Sequence, residues 1–187
     1  ISEFDFSLVS NPDLSCLDFF RLQGLKLSRF PEIKFAELSS HSLKRIHADF
    51  TPARDFSALS TQPLEELSLR QTDLGDLSFL KEIKLHAFFA SNNPIDSIED
   101  LNCKDLTTLD LFKCPIFNIE PLFDSPIEEL NLNGTRVSDL SPLAGSPLRK
   151  LELRATQVSD LSSLADCPLE VLHLPGSPIE SITPLRY

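Results

Sequence analysis

Residues 126–146 read PIEELNLNGTRVSDLSPLAGS, and residues 147–166 read PLRKLELRATQVSDLSSLAD. The second phrase is the first displaced by 21 positions: Pro126 matches Pro147, Leu130 Leu151, Leu132 Leu153, Thr135 Thr156 and Val137 Val158. Ser138-Asp139-Leu140-Ser141 likewise matches Ser159-Asp160-Leu161-Ser162. A fixed period of this length is the signature of a solenoid, in which each copy buries its apolar face only against its neighbours.

The period runs back to the first residue without an insertion. Nine copies start at Ile1, Leu22, Leu43, Leu64, Leu85, Leu106, Ile127, Leu148 and Leu169. The fourth position of each copy is apolar, from Phe4 and Leu25 to Leu151 and Leu172. So is the sixth, although Ala48 and Ala90 are small there. The fourteenth is apolar from Leu14 to Ile182, and the seventeenth is Leu throughout, from Leu17 to Leu185. The phrase L-x-x-L-x-L-x-x-[NTC]-x-[VIL] carried by these columns resembles the leucine-rich repeat family over the whole chain. Its T-x-V-S-D-L-S-P-L segment resembles bacterial 21-residue arrays, including those attached to bacterial serine/threonine protein kinases. The resemblance implies an α/β-type solenoid: an arc with a parallel concave sheet and short 3₁₀ turns on the convex side. Residues 1–187 are expected to form a single domain of nine copies.

The residues support that reading directly. Leu130 and Leu132 alternate with Glu129, Asn131 and Asn133, the period of a strand with one buried face. Leu140 and Leu143 are spaced for one turn of 3₁₀ helix, and Asp139 stands where a carboxylate caps that turn's amides. The capping column also holds Asp13, Asp55, Asp76, Asn118 and Asp160. A second polar column (Thr51, Thr72, Asn93, Cys114, Thr135, Thr156, Ser177) is expected to satisfy backbone groups inside the turn. The early copies are the most degenerate: Asn11 and Glu32 occupy an apolar turn position, with Ile33 able to replace Glu32 by a small register shift. Phe50, Phe56 and Phe88 are expected to fill the space left by Ala48 and Ala90.

Composition narrows the function. The net charge is −11, which disfavours a basic groove for nucleic acid. No apolar run approaches the ~20 residues of a membrane span. Cys16, Cys103, Cys114 and Cys167 form no C-x-x-C pair, and they read as small hydrophobes in an intracellular or redox-indifferent setting. The chain has no Met and neither end has an obvious cap, so a longer parent chain is expected. Nucleotide-loop, zinc-protease, hydrolase and EF-hand motifs are absent, and the reading calls for no cofactor and no metal. Asn133-Gly134-Thr135 is a formal glycosylation sequon, discounted because Thr135 is expected inside the turn.

Function therefore falls to the surface. The residue between the two core positions of each strand points outward: Asp5, Lys26, His47, Ser68, Phe89, Asp110, Asn131, Glu152 and His173. Two residues on, the column reads Ser7, Ser28, Asp49, Arg70, Ser91, Phe112, Asn133, Arg154 and Pro175. Phe89 and Phe112 are the aromatics among them, in adjacent copies, with Arg70, His47, Asp110 and Lys113 around them. A shifted register, with Phe88 outward and Phe89 inward above Ala90, stays open at this point. The expected class is a non-catalytic protein-interaction module, a sensing or scaffolding tail that takes a protein or peptide partner on Phe89, Phe112, Arg70, His47 and Asp110. A structural surface spacer or adhesin is the alternative, and an enzyme, for which no motif is present, is the third reading.

Overall fold

In a computed structural model, the described residues are 2–7, 22–29, 34–38, 42–53 and 55–185. Nine three-residue strands are spaced 21 residues apart: β1 Glu3–Asp5, β2 Gly24–Lys26, β3 Arg45–His47, β4 Glu66–Ser68, β5 Ala87–Phe89, β6 Thr108–Asp110, β7 Glu129–Asn131, β8 Lys150–Glu152 and β9 Val171–His173. They form one open parallel sheet in sequence order. Each residue pairs with its equivalent one copy later, as in Leu109↔Leu130 and Asp110↔Asn131. The repeat register and the hydrogen-bond register are thus the same thing.

The central residue of each strand points into the solenoid. Leu25, Ile46, Leu67, Phe88, Leu109, Leu130 and Leu151 are all buried, as are Leu27, Leu69, Leu111, Leu132 and Leu153 two residues on. The opposite wall comes from the helical turns, whose Leu38, Leu59, Leu80, Leu101, Leu122, Leu143 and Leu164 complete the same core. Short 3₁₀ turns occupy Phe35–Leu38, Ser57–Thr61, Ser78–Leu80, Glu120–Leu122, Ser141–Leu143, Ser162–Leu164 and Thr183–Leu185. Copy five closes the equivalent bend with one bond, Leu101 N–H to Ile98 carbonyl at 3.0 Å.

The polar columns do what their chemistry demands. Asp55, Asp76, Asn118, Asp139 and Asp160 each accept a hydrogen bond from the amide two residues on, at 2.8–2.9 Å. In copies five and nine a hydroxyl replaces the carboxylate: Ser97 and Ser181 accept from Glu99 and Thr183. In the turn column, Thr72, Thr135 and Thr156 donate to the carbonyls of Leu69, Leu132 and Leu153. Asn93 bridges copies, donating to Leu69 and Ala90 carbonyls and accepting from the Thr72 and Leu74 amides. Buried backbone groups are thereby paired inside the turns.

The eighth position of each copy from the second onward is left-handed: Arg29, Phe50, Gln71, Asn92, Lys113, Gly134, Ala155 and Gly176 have φ between 52° and 80°. The cause is the stacking. From Arg29 to Ala155, each of these amides donates to the carbonyl of the preceding column in the next copy, for example Lys113 to Asn133 at 2.8 Å and Ala155 to Pro175 at 3.0 Å.

Two expectations change. Phe88 is fully buried and Phe56 packs between Phe35 and Phe79, but Phe50 does not fill the gap at Ala48. Phe50 is 45% exposed because its left-handed backbone turns the ring outward, where the Arg29 guanidinium lies 5.5 Å from its centroid. Ile182, placed in a core column, is 65% exposed, since among the described residues no copy stacks on the outer side of β9. Asn11, Glu32, Ile33, Asp13, Leu14, Cys16 and Leu17 lie outside the described residues.

Candidate interaction site on the sheet face

With Phe88 inward and wholly buried, Phe89 faces out, which settles the strand register of copy five. Phe89 is half-buried on the sheet face. The Arg70 guanidinium lies over its ring, 4.6 Å from the centroid, within the range of a cation–π contact. Arg70 is held there from both sides. Its Nη1 is 3.2 Å from Asp49 Oδ2 and its Nε is 3.5 Å from Asp110 Oδ2. Asp49 also accepts from the Ser68 hydroxyl at 2.6 Å and the Arg70 amide at 2.9 Å. Asp110 accepts from the Ser91 hydroxyl at 2.7 Å and the Phe112 amide at 3.1 Å. Both carboxylates are largely covered, at 14% and 17% side-chain exposure, and the Asp49 hydrogen bond with the Asp110 ion pair holds the guanidinium in place.

Of the five expected contact residues, the structure thus brings Arg70, Phe89 and Asp110 together. Phe112 is half-buried in the next copy, with the Lys113 ammonium 5.1 Å from its ring centroid. His47 is not in this cluster. It lies on β3, two strands from Phe89 and so roughly 10 Å away at parallel-sheet spacing. There its Nε2 pairs with Glu66 Oε1 at 2.8 Å.

Glu66 belongs to an outward column that the sequence reading passed over, the first residue of each strand: Arg45, Glu66, Ala87, Thr108, Glu129 and Lys150 among them. Strict alternation about the buried central residue would have found it. On β6–β8 this column and the next line a half-open cleft of about 140 Å³, bounded by Phe89 and lined by Thr108, Asp110, Glu129, Asn131, Lys150 and Glu152. Glu152 receives His173 Nδ1 at 2.8 Å and Asn133 Nδ2 at 3.3 Å, with Lys150 Nζ 3.9 Å away. Burial alone would raise its pKa. The His173 and Asn133 hydrogen bonds and the nearby His173 and Lys150 charges outweigh it and hold the carboxyl below its usual range.

Elsewhere the chemistry is quiet. Cys103 and Cys114 are buried free thiols, and Cys167 is buried as well. Burial pushes Cys103 up to about 12 and Cys114 up to about 11, so neither is a nucleophile near neutral pH. Among the described residues no three His, Cys, Asp or Glu side chains converge as a metal site needs, and no helix is long and apolar enough to cross a membrane. Thr135 of the sequon is 4% exposed and donates to Leu132.

No protein-family model matches the sequence, and no curated protein matches it. Solved structures do match its fold. Internalin C2 from Listeria monocytogenes is 22% identical with a TM-score of 0.67, the match covering 99% of this chain and 76% of that one. A leucine-rich repeat protein of Leptospira interrogans is 20% identical with a TM-score of 0.73, over 94% of this chain and 48% of the other. The leucine-rich repeat ectodomain of a plant membrane receptor kinase from Arabidopsis thaliana, in complex with Casparian strip integrity factor 2, is 16% identical with a TM-score of 0.76. That match covers 95% of this chain and 24% of the ectodomain. The likeness is one of fold: the chain folds as a leucine-rich repeat solenoid does.

Proposed function

We propose that this solenoid is a non-catalytic protein-interaction module, a sensing or scaffolding element that binds a protein or peptide on the sheet face around Phe89 and Phe112. Arg70 and Asp110 orient that partner, and His47 with Glu66 forms the outlying part of the contact. The observation that carries the reading is the ordered aromatic–guanidinium cluster of Phe89, Arg70, Asp49 and Asp110 on an outward face. Aromatic and Arg side chains held rigid before contact lose little entropy on binding and supply most interface energy. The sheet itself gives a fixed backbone, so the face is presented without reorganisation. A similar solenoid, the plant ectodomain, is found in complex with Casparian strip integrity factor 2. A role within a longer chain, as in the kinase-attached arrays that the sequence resembles, fits the same reading.

The test is selection of a displayed random-peptide library on the purified chain, with Phe112→Ala as competitor. Binders are expected to lose about 1–3 kcal/mol on Phe112→Ala. They should keep full affinity for Ser162→Ala, a substitution in the helical turn between β8 and β9. Selected peptides that bind both variants like wild type place the contact elsewhere, and a library yielding no binders rejects the reading.

A further inference from the structure

We infer that the cleft between Phe89 and Glu152 is an anchor for one cationic side chain of the partner, with arginine the best fit. This rests on the sheet face being the binding face. Three observations carry it. The first is size: the half-open cleft of about 140 Å³ is close to the ~150 Å³ that holds one benzene ring in an engineered cavity. The space accepts a single side chain.

The second is charge. Asp110, Glu129 and Glu152 line the cleft against the one cation Lys150. Asp110 is already matched by Arg70, and Glu152 by His173 and Lys150. The Glu129 carboxylate has no hydrogen-bonding or ionic partner among the described residues, so the surplus negative charge sits at the cleft wall. The third is a template inside the molecule. On the β4 side of the cluster, Phe89 takes the Arg70 guanidinium over its ring while Asp49 accepts a hydrogen bond from its Nη1 and Asp110 forms an ion pair with its Nε. Toward β7 and β8 the cleft is lined by the same kinds of group: Phe89 and Asp110 again, with Glu129 and Glu152 as the further carboxylates. The Thr108 hydroxyl and the Asn131 carboxamide add hydrogen-bonding groups to a guanidinium's planar fork.

The experiment is a titration of the ¹⁵N-labelled chain with N-acetyl-arginine amide, and in parallel with N-acetyl-citrulline amide, its uncharged near-isostere. Arginine amide is expected to give saturable shifts at the amides of Thr108, Asp110, Glu129, Asn131 and Lys150, weakened by salt, with citrulline amide clearly weaker. Glu129→Gln, at an exposed site without a partner to lose, should loosen arginine amide by about two- to fivefold, the scale of a half-exposed ion pair. Lys150→Gln should tighten it. Equal shifts from the two amides, shifts elsewhere, or no shifts at all overturn the anchor. The titration needs no macromolecular partner, so the two ideas fail separately. Peptides that bind through Phe112 but ignore Glu129→Gln and carry no Lys or Arg sink the anchor alone. Saturable arginine binding with no selected peptide sensitive to Phe112→Ala sinks the interaction reading alone.

Discussion

Exchanging alanine and glycine at the eighth position of two adjacent copies should change stability in opposite directions. Ala155 sits at φ 52° and Gly134 at φ 71°, in the same structural position. An L-residue held in the left-handed region costs ~1–2 kcal/mol, while glycine gives up ~0.5–1 kcal/mol more chain entropy on folding. Ala155→Gly should therefore stabilise by about 0.5–1 kcal/mol. Gly134→Ala should destabilise by about 1–2 kcal/mol, since the added Cβ would also lie 3.2 Å from Lys113 Cγ, which must shift. The control is Ala144→Gly, the same chemical change at an exposed residue with φ −59°, where only the entropic loss remains and stability should fall. Urea unfolding followed by circular dichroism reads all three, and with m near 2 kcal/mol/M the Ala155→Gly midpoint should rise by roughly 0.2–0.5 M. If Ala155→Gly lowers the midpoint as Ala144→Gly does, stacking has not imposed the left-handed column.

Other outcomes follow from the same geometry. Leu143 is fully buried in its helical turn, so Leu143→Ala should cost about 2–5 kcal/mol, and an unchanged urea midpoint would refute the core assignment. Asp139→Ala removes the cap on the Ser141 amide but no core atoms, and should lower the midpoint less. Asp55, Asp76 and Asp160 are held below their ordinary value of 3.8 by hydrogen bonds from Ser57, Ser78 and Ser162. A depressed folded-state pKa means that their contribution is complete above that value and is lost as pH falls through the folded pKa. Midpoints should thus decline on acidification below about pH 4, and less steeply when all three are Asn, which accepts the same bond without titrating. In a Cys16→Ser background, Cys103, Cys114 and Cys167 should resist a disulfide reagent in the folded chain and react once it is unfolded in urea. Rapid modification of the native protein would contradict their burial.

The parts legible in the sequence are those where repetition multiplies a weak local signal. One Leu at the fourth position says little; Ile46, Leu67, Leu109, Leu130 and Leu151 at a 21-residue spacing leave one arrangement, because only parallel stacking puts them in one core. The caps were legible for a different reason. Asp139 and Asp160 act on the amide two residues away, a local bond needing no knowledge of neighbours. Ser97 and Ser181 make the same bond but escaped notice, since serine is too common to mark a column unaided.

What was not legible depends on contacts between copies. Among the described residues of the eighth column, only Gly134, Gly176 and Asn92 are of types that favour a left-handed backbone. Arg29, Phe50, Gln71, Lys113 and Ala155 share it because each amide must reach a carbonyl in the next copy, and that bond overrides the local preference. The misplacing of Phe50 follows directly: size and apolarity pointed to the gap at Ala48, while the column's backbone sends the side chain outward. The site shows the same division. The column marked Phe89 as outward with the shifted register still open, but the grip of Asp49 and Asp110 on Arg70 reaches from the third copy to the sixth, and no spacing within one copy encodes it. A repeat protein can vary such a grip one side chain at a time, because each outward residue bears on its neighbours and leaves the core columns untouched. The outward face is therefore the part where the repeat is freest to be irregular.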